Sequence, residues 1–328
     1  MNGQEKSLFS ESLATDENRL GFESLAERLE RYACGKKRAL DMTNYITERC
    51  GGKKKTGRPS ENLRLVAKME TCGSYLVFKH YFNRDEVRLH AAKFCKKHML
   101  CPFCAMRRGA KYVQAYQERL AVVLNQRPGL RAFMVTLTIK DGEDLKERFN
   151  KLRSGLKKYQ QQRRDALKGQ CFVEYAKAMG GVFSIEIKRG RNSGQWHPHV
   201  HMIWLCHEMP DVARLSLEWL EITGDSYIVD VREFYGDSVT DGFLEVFKYA
   251  LKFSDMALAD NWEAYETLKG KRLVDSFGLF RGVEVPESLL DDDLDNEAYR
   301  LLLYRFSAGT GYNFIATGEH EIFEHMKR

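Results

Sequence analysis

The sequence has no run approaching the roughly 20 apolar residues that a membrane-spanning helix requires. Its first residues, MNGQEKSLFSESLATDENRL, lack the charged start and apolar middle of a signal peptide. Both absences point to a cytoplasmic protein without a membrane partner. In a reducing compartment eight cysteines are poor candidates for four disulfides, so clustered ones are read first as metal ligands. No internal repeat is visible. Between Glu86 and Glu118 there is no acidic residue, while Arg88, Lys93, Lys96, Lys97, Arg107, Arg108 and Lys111 fall there. The overall net charge of +6 says little about a polyanion partner, but this local basic patch says more. Opposite charge gathers at Asp291, Asp292, Asp293 and Asp295, expected to form a solvated loop.

What is present suffices for a sizeable core: 328 residues, 43% hydrophobic and 12% aromatic, give one large or two modest domains. Residues 1–60 are polar, with GKK at 35–37 and GGKKKTGRPS at 51–60 around a stretch that can be helical, and are expected to be a mobile leader. Residues 61–124 form a cysteine-rich basic segment, with a strand in SYLVFKHY (74–81) and a helix starting near Ala105. LRAFMVTLTIKDG reads as a buried strand ending in a turn. Leu145, Phe149, Leu152, Leu156 and Tyr159 step by four and three, the spacing of an amphipathic helix. Its other face carries Lys151, Arg153, Lys157, Lys158, Arg163 and Arg164, either a DNA-reading surface or a solvated one. GGVFSIEIKRG and WHPHVHMIWL read as two strands joined by a hairpin turn at RNSGQ. Another strand in SYIVDVREF and a helix in DGFLEVFKYALKFSD follow. That order is a split βαβ sandwich, an α+β fold with a central antiparallel sheet of ferredoxin or RRM type flanked by helices. The core is expected at 125–260, with a C-terminal extension at 261–328.

In GQWHPHVHMIWL the histidines 197, 199 and 201 alternate, so on a strand they share one face while Val200, Met202 and Trp204 take the other. Pro198 cannot donate to a ladder, which suits an edge or the start of a strand, so His199 and His201 are the pair best held on regular strand. A hairpin would bring Glu186 alongside them. Two imidazoles and a carboxylate with open positions suit Mn²⁺, Mg²⁺ or Zn²⁺ as a Lewis acid. An HxH alone also fits an ordinary polar strand face. In LEVFKYALK, residues Glu245, Lys248, Tyr249 and Lys252 lie on one side of a helix. Ammonium charge beside Tyr249 favours its phenolate, which makes it a plausible nucleophile, and Glu245 stands where a carboxylate can take a proton. Cys72, Cys95, Cys101 and Cys104 have the spacing C-x22-C-x5-C-x2-C, with His98 inside the run, and can close a tetrahedral zinc site. Such a knuckle would hold Arg107, Arg108 and Lys111 against DNA phosphates. Cys34, Cys50, Cys171 and Cys206 have no partners at ligand spacing.

Together these motifs resemble the rolling-circle plasmid replication initiators of the HUH endonuclease superfamily. The resemblance rests on HVH at 199–201, FMVTLTI at 133–139 and EVFKYALK at 245–252. It extends to CGSYLVF at 72–78, FCKKHMLCPFCAMRRGAKY at 94–112 and LKGKRLVDSFGLFRG at 268–282. It implies metal-dependent nicking and joining of single-stranded or hairpin origin DNA, with Tyr249 forming a 5′-phosphotyrosine and freeing a 3′-hydroxyl. The metal, Mn²⁺ or Mg²⁺, would be held by His199, His201 and Glu186, with His197 recurring in the family's HPHxH form. Lys252 and Lys248 would flank the nucleophile, Lys248 on the DNA side, and Glu245 would activate water for termination. The family tends to carry cysteines at 72, 95, 101 and 104, so Zn²⁺ is assigned to these four, with His98 as the substitute ligand. A host helicase and DNA polymerase are the implied partners. A transposase or mobilisation relaxase with the same chemistry, and a zinc-dependent DNA-binding regulator without catalysis, remain as alternatives.

Overall fold

A computed structural model describes residues 24–50, 60–234, 238–248, 253, 255–295 and 297–318; Tyr249 and Lys252 lie outside them. In chain order the elements are α1 (Leu25–Cys50), α2 (Glu61–Glu70), β1 (Tyr75–Tyr81), β2 (Glu86–Ala92), α3 (Pro102–Gln126) and β3 (Arg131–Thr138). Then come α4 (Leu145–Ala166), a 3-10 turn (Glu174–Lys177), β4 (Gly180–Arg189), β5 (Trp196–Cys206), α5 (Val212–Thr223) and β6 (Val229–Glu233). The chain continues through α6 (Ser238–Phe247), α7 (Leu258–Leu268), β7 (Val274–Gly278), β8 (Tyr299–Ser307) and β9 (Gly311–Gly318). It divides into two compact units, residues 1–108 with 286–328, and residues 109–285. No helix among the described residues is long and apolar enough to cross a membrane.

In the first unit, part of the segment expected to be a mobile leader is α1, whose Tyr32, Ala39, Met42 and Ile46 are buried. Ser60 caps α2 by accepting from the Leu63 N–H. The strands form an antiparallel sheet in the order β2-β1-β8-β9, so the C-terminal segment returns to the N-terminal one. Helix α3 starts at Pro102, three residues before the expected Ala105, because proline's fixed φ and missing N–H suit a first helical position.

The expected acidic loop keeps Asp292, Asp293 and Asp295 exposed, while the same return draws Asp291 inward. Asp291 accepts from Arg28, Arg107 and the Leu89 N–H, and Asp293 takes Lys79 at 2.6 Å. Burial alone would raise the Asp291 pKa, but Arg107 and Arg28 overcome it and hold the carboxyl well below its ordinary value. Its stabilisation is therefore present above about pH 4, where the unfolded aspartate is ionised, and is lost as acid protonates the folded carboxylate. Asp291→Asn is expected to cost about 3 kcal/mol, because it removes the counter-charge of the buried Arg107 guanidinium. A urea titration of the variant at pH 7 measures this.

In the second unit the sheet order is β6-β3-β5-β4-β7, every neighbouring pair antiparallel. Strands β3 and β4, joined through α4, are parallel to each other with β5 between them, which is the split βαβ arrangement. Pro198 falls near the start of β5, one residue beyond the end of its ladder with β3 at His199, so its missing N–H costs that ladder nothing.

Strand alternation gives each face its own core. Val200, Met202 and Trp204 point toward α4 and α5, where Leu145, Phe149, Leu152, Leu156 and Tyr159 are buried as the helical spacing predicts. There Trp204 stacks on Tyr175 with ring centroids 4.7 Å apart, a pairing worth about 1 kcal/mol beyond its buried area. Ile203 and Leu205 point the other way, into a cluster with Val113, Tyr116 and Leu120 of α3 and Phe243, Val246 and Phe247 of α6. That face carries the histidines.

Candidate metal centre

The hairpin register sets Glu186 directly opposite His199 and Ser184 opposite His201, while β3 on the other side sets Thr136 opposite His201 and Thr138 opposite His199. Period-two alternation then puts all these side chains on one face. The Nε2 atoms of His199 and His201 are 2.9 Å apart. Glu186 presents one carboxylate oxygen 3.5 Å from His199 Nε2 and the other 3.3 Å from His201 Nε2. Glu186 and His199 are buried, at 1% and 3% exposure, and His201 is half-buried, so the three form a recess open on the His201 side.

Burial alone would raise the Glu186 pKa, but the neighbouring histidines hold it well below its ordinary value, while burial lowers that of His199. A buried carboxylate facing a neutral imidazole is the protonation state that a metal ligand set requires. Glu186 Oε2 and His199 Nδ1 are buried without a hydrogen-bond partner, and Glu186, His199 and His201 offer three ligand atoms within 4.8 Å of one another. Such a donor set fits a divalent cation.

Helix α6 closes the recess. Ser184 Oγ donates to the Val246 carbonyl, fixing the helix end on β4. Glu245 then stands 3.9 Å from His201 Nε2 and is paired with Lys248, the last described residue before Tyr249. His197 lies on the same face with its ring 5.4 Å from that of His199, but its Nδ1 engages Asp141, which also accepts from Ser193. His197 therefore braces the hairpin mouth and is not in the three-residue group.

Two positioning residues escaped the sequence reading, Asp141 and Thr136. Thr136 Oγ1 lies 3.0 Å from His201 Nδ1 and sets the ring's orientation. Its signal was the alternation within FMVTLTI, which assigns Thr136 to the histidine face once the strand pairing is known. Thr136→Val is expected to weaken Mn²⁺ binding about 10-fold, since losing an outer partner of a ligating histidine typically costs 10- to 100-fold. A calorimetric Mn²⁺ titration reads it.

In the first unit Cys72, Cys95, Cys101 and Cys104 are all buried, with their sulfurs 3.5 to 3.7 Å apart in the pairs 72–101, 72–104 and 95–104. They form a second group able to hold a metal ion, and a buried quartet of cysteine sulfurs is the donor set of a closed tetrahedral site. His98 is half-buried and outside the group, its pKa lowered by burial and by Arg108.

The neighbouring basic residues are not where a phosphate-gripping surface needs them. Arg107 is 2% exposed, its guanidinium held by the Leu289 carbonyl, the Tyr32 hydroxyl and Asp291; Lys111 is 4% exposed. Arg108 is half-buried and donates to the Pro286 carbonyl. Acidic and carbonyl partners from the C-terminal segment take up Arg107 and Arg108.

The family model described as Replication protein matches residues 86–209, a span holding Glu186, His199, His201 and three of the four cysteines. Protein rep of Streptococcus pneumoniae serotype 2 (strain D39 / NCTC 7466) is 24% identical over 248 residues, 67% of this chain and 71% of that protein. Protein rep of Lactiplantibacillus plantarum is 22% identical over 252 residues, 69% of this chain and 75% of that one. Over these spans the chain is similar to replication proteins. No solved structure matches it. The family match ends before α6, so Glu245 and Lys248 come to the histidine centre through the fold.

Proposed function

We propose that this protein initiates plasmid rolling-circle replication as an HUH endonuclease, nicking one strand at the origin and rejoining it. The observation that carries the reading is the convergence of Glu186, His199 and His201 with Glu245 and Lys248 at the end of α6, one residue before Tyr249. The order of the second unit's strands supports the HUH core.

Tyr249 Oη attacks the scissile phosphorus, an O–P bond forms, and the bond to the 3′ oxygen breaks. The products are a 5′-phosphotyrosine and a strand ending in a free 3′-hydroxyl for polymerase. Lys248 and Lys252 favour the phenolate, whose proton is lost to solvent, and a proton from solvent completes the 3′-hydroxyl. His199, His201 and Glu186 would hold a Mn²⁺ or Mg²⁺ ion, which would supply polarisation of the phosphate and neutralisation of its charge. At termination Glu245 takes a proton from water, the water oxygen bonds to the phosphotyrosine phosphorus, the P–O bond to Tyr249 breaks, and the departing phenolate frees the protein. A structural Zn²⁺ belongs to the four cysteines. A helicase and a polymerase of the host would act on the exposed 3′ end.

The testing experiment incubates the protein with labelled single-stranded and hairpin oligonucleotides from its replicon's origin, with Mn²⁺ or with chelator. A metal-dependent adduct that survives denaturing electrophoresis is expected. Its complete absence would instead favour a non-catalytic regulator. Glu245→Ala is expected to form the adduct at a rate within about 10-fold of wild type yet accumulate it, because general-base assistance contributes about 10²- to 10⁴-fold to the hydrolytic step. Loss of the adduct itself in that variant would assign Glu245 to the first step.

A further inference from the structure

The segment LKGKRLVDSFGLFRG at 268–282 takes no part in the histidine centre, yet it walls a pocket of about 420 Å³ in the second unit. Four arginines line this pocket, Arg163 and Arg164 from the end of α4 and Arg272 and Arg281 from either side of β7. Asp275 is the one carboxylate in the lining, and it is drawn toward Arg272 at 3.4 Å. Arg164 is bonded to the neutral Gln161. Arg163 spends one nitrogen on the Ala178 carbonyl and lies over the Phe277 ring at 4.7 Å, while its Nε is buried with no partner. At the inner wall the Tyr175 hydroxyl is fully buried and meets no partner at hydrogen-bond geometry, with Gln160 beside it. A recess with surplus positive charge and a buried hydroxyl at its inner wall suits an anion with several oxygen acceptors.

The backbone is shaped for it too. Strand β7 ends at Gly278 with φ +57°, where a Cβ would meet the Met179 carbonyl oxygen at 2.1 Å. Only glycine permits the turn that carries Arg281 back over the pocket. Register places the pocket relative to the histidines: Phe277 pairs with Gly181 and Asp275 with Phe183, the β4 positions that alternate with Ser184 and Glu186. The pocket therefore opens on the sheet face opposite the histidine centre, at the β7 edge.

We propose that this pocket is a second phosphate-binding site, taking a backbone phosphate of duplex DNA flanking the strand that is cut. Arg164, Arg272 and Arg281 are exposed at its rim, which suits a polyanion running past the edge more than an enclosed small ligand. The choice of DNA rests on the replication reading; the site itself does not depend on the nicking chemistry.

The test measures binding of the full-length protein to an origin duplex and to an unrelated duplex by fluorescence anisotropy between 50 and 200 mM salt. Arg272→Gln/Arg281→Gln is expected to lower the slope of log K against log salt by about 1 on both duplexes, because the one phosphate neutralised in the pocket contributes about 0.9. Tyr175→Phe, which keeps the ring stacked on Trp204, is expected to weaken duplex binding about 5-fold with an unchanged or raised melting temperature, since it removes an unsatisfied buried hydroxyl. A drop in melting temperature would mean that the hydroxyl is a structural group and would count against the site. An unchanged slope in the double variant overturns the proposal. So does a thermal shift with inorganic phosphate that the double variant abolishes while its DNA slope stays the same, for the pocket then serves a free phosphoryl ligand. If the wild type forms no adduct but the double variant's slope falls, the nicking reading fails and this site stands.

Discussion

Tyr249→Phe protein is expected to bind an origin single strand with an affinity within about two-fold of wild type and to form no covalent adduct. The substitution removes one oxygen and keeps the ring, so contacts that hold the strand survive while the nucleophile is lost. Removing a nucleophile from a site whose groups act as a unit typically costs at least about 10³-fold in the chemical step, with the remainder left to binding and charge stabilisation. Glu245 and Lys248 would still face the recess beside His201, because Ser184 ties α6 to β4 independently of position 249. Quench-flow nicking in Mn²⁺ with parallel anisotropy binding separates the two effects. Full nicking by the phenylalanine variant would sink the assignment of Tyr249, and joint loss of binding and nicking would point to a positional role for the ring.

The second large effect belongs to the four cysteines. Cys72 follows α2, Cys95 follows β2, and Cys101 and Cys104 flank the start of α3, so one ion bound there fixes three separate elements. Structural zinc contributes apparent binding free energy of about 10–16 kcal/mol, which matches or exceeds the whole net stability of a typical domain. Cys95→Ser, or prolonged chelation of the wild type, is therefore expected to unfold the first unit, and about one zinc per chain should fall to near zero. Atomic absorption gives the metal content, and hydrogen exchange of α1, α2 and β1 gives the unfolding. A variant that stays folded without metal would make the cluster a set of ordinary buried thiols.

The first unit carries a lesson in charge. The basic run between Glu86 and Glu118 reads as a surface for polyanions because, locally, nothing neutralises it. Arg107 finds its counter-charge in Asp291, 184 positions away, and the two meet because β8 and β9 return to pair beside β1. Local patterning cannot contain that contact. The basic face of α4 divides in the same way: Lys151 is paired with Asp225, while Arg163 and Arg164 line the pocket at the β7 edge.

The sequence by itself determined strands β3 to β6, helices α4 and α6 and the facing of the histidines, because alternation by two and steps of three and four are properties of the local backbone. A short turn after GGVFSIEIKRG also made Glu186 the neighbour of the histidines, and the register pairs it directly with His199. The tertiary structure decided the rest. It separated His197, held by Asp141, from the Glu186, His199 and His201 group. It brought Thr136 to His201 from a strand 65 positions earlier and Glu245 from a helix beyond the family match. It also buried Arg107 and Lys111. Each of these depends on which distant strands become neighbours, and that is settled by burying two faces of one sheet at once, a condition no single stretch of sequence can express.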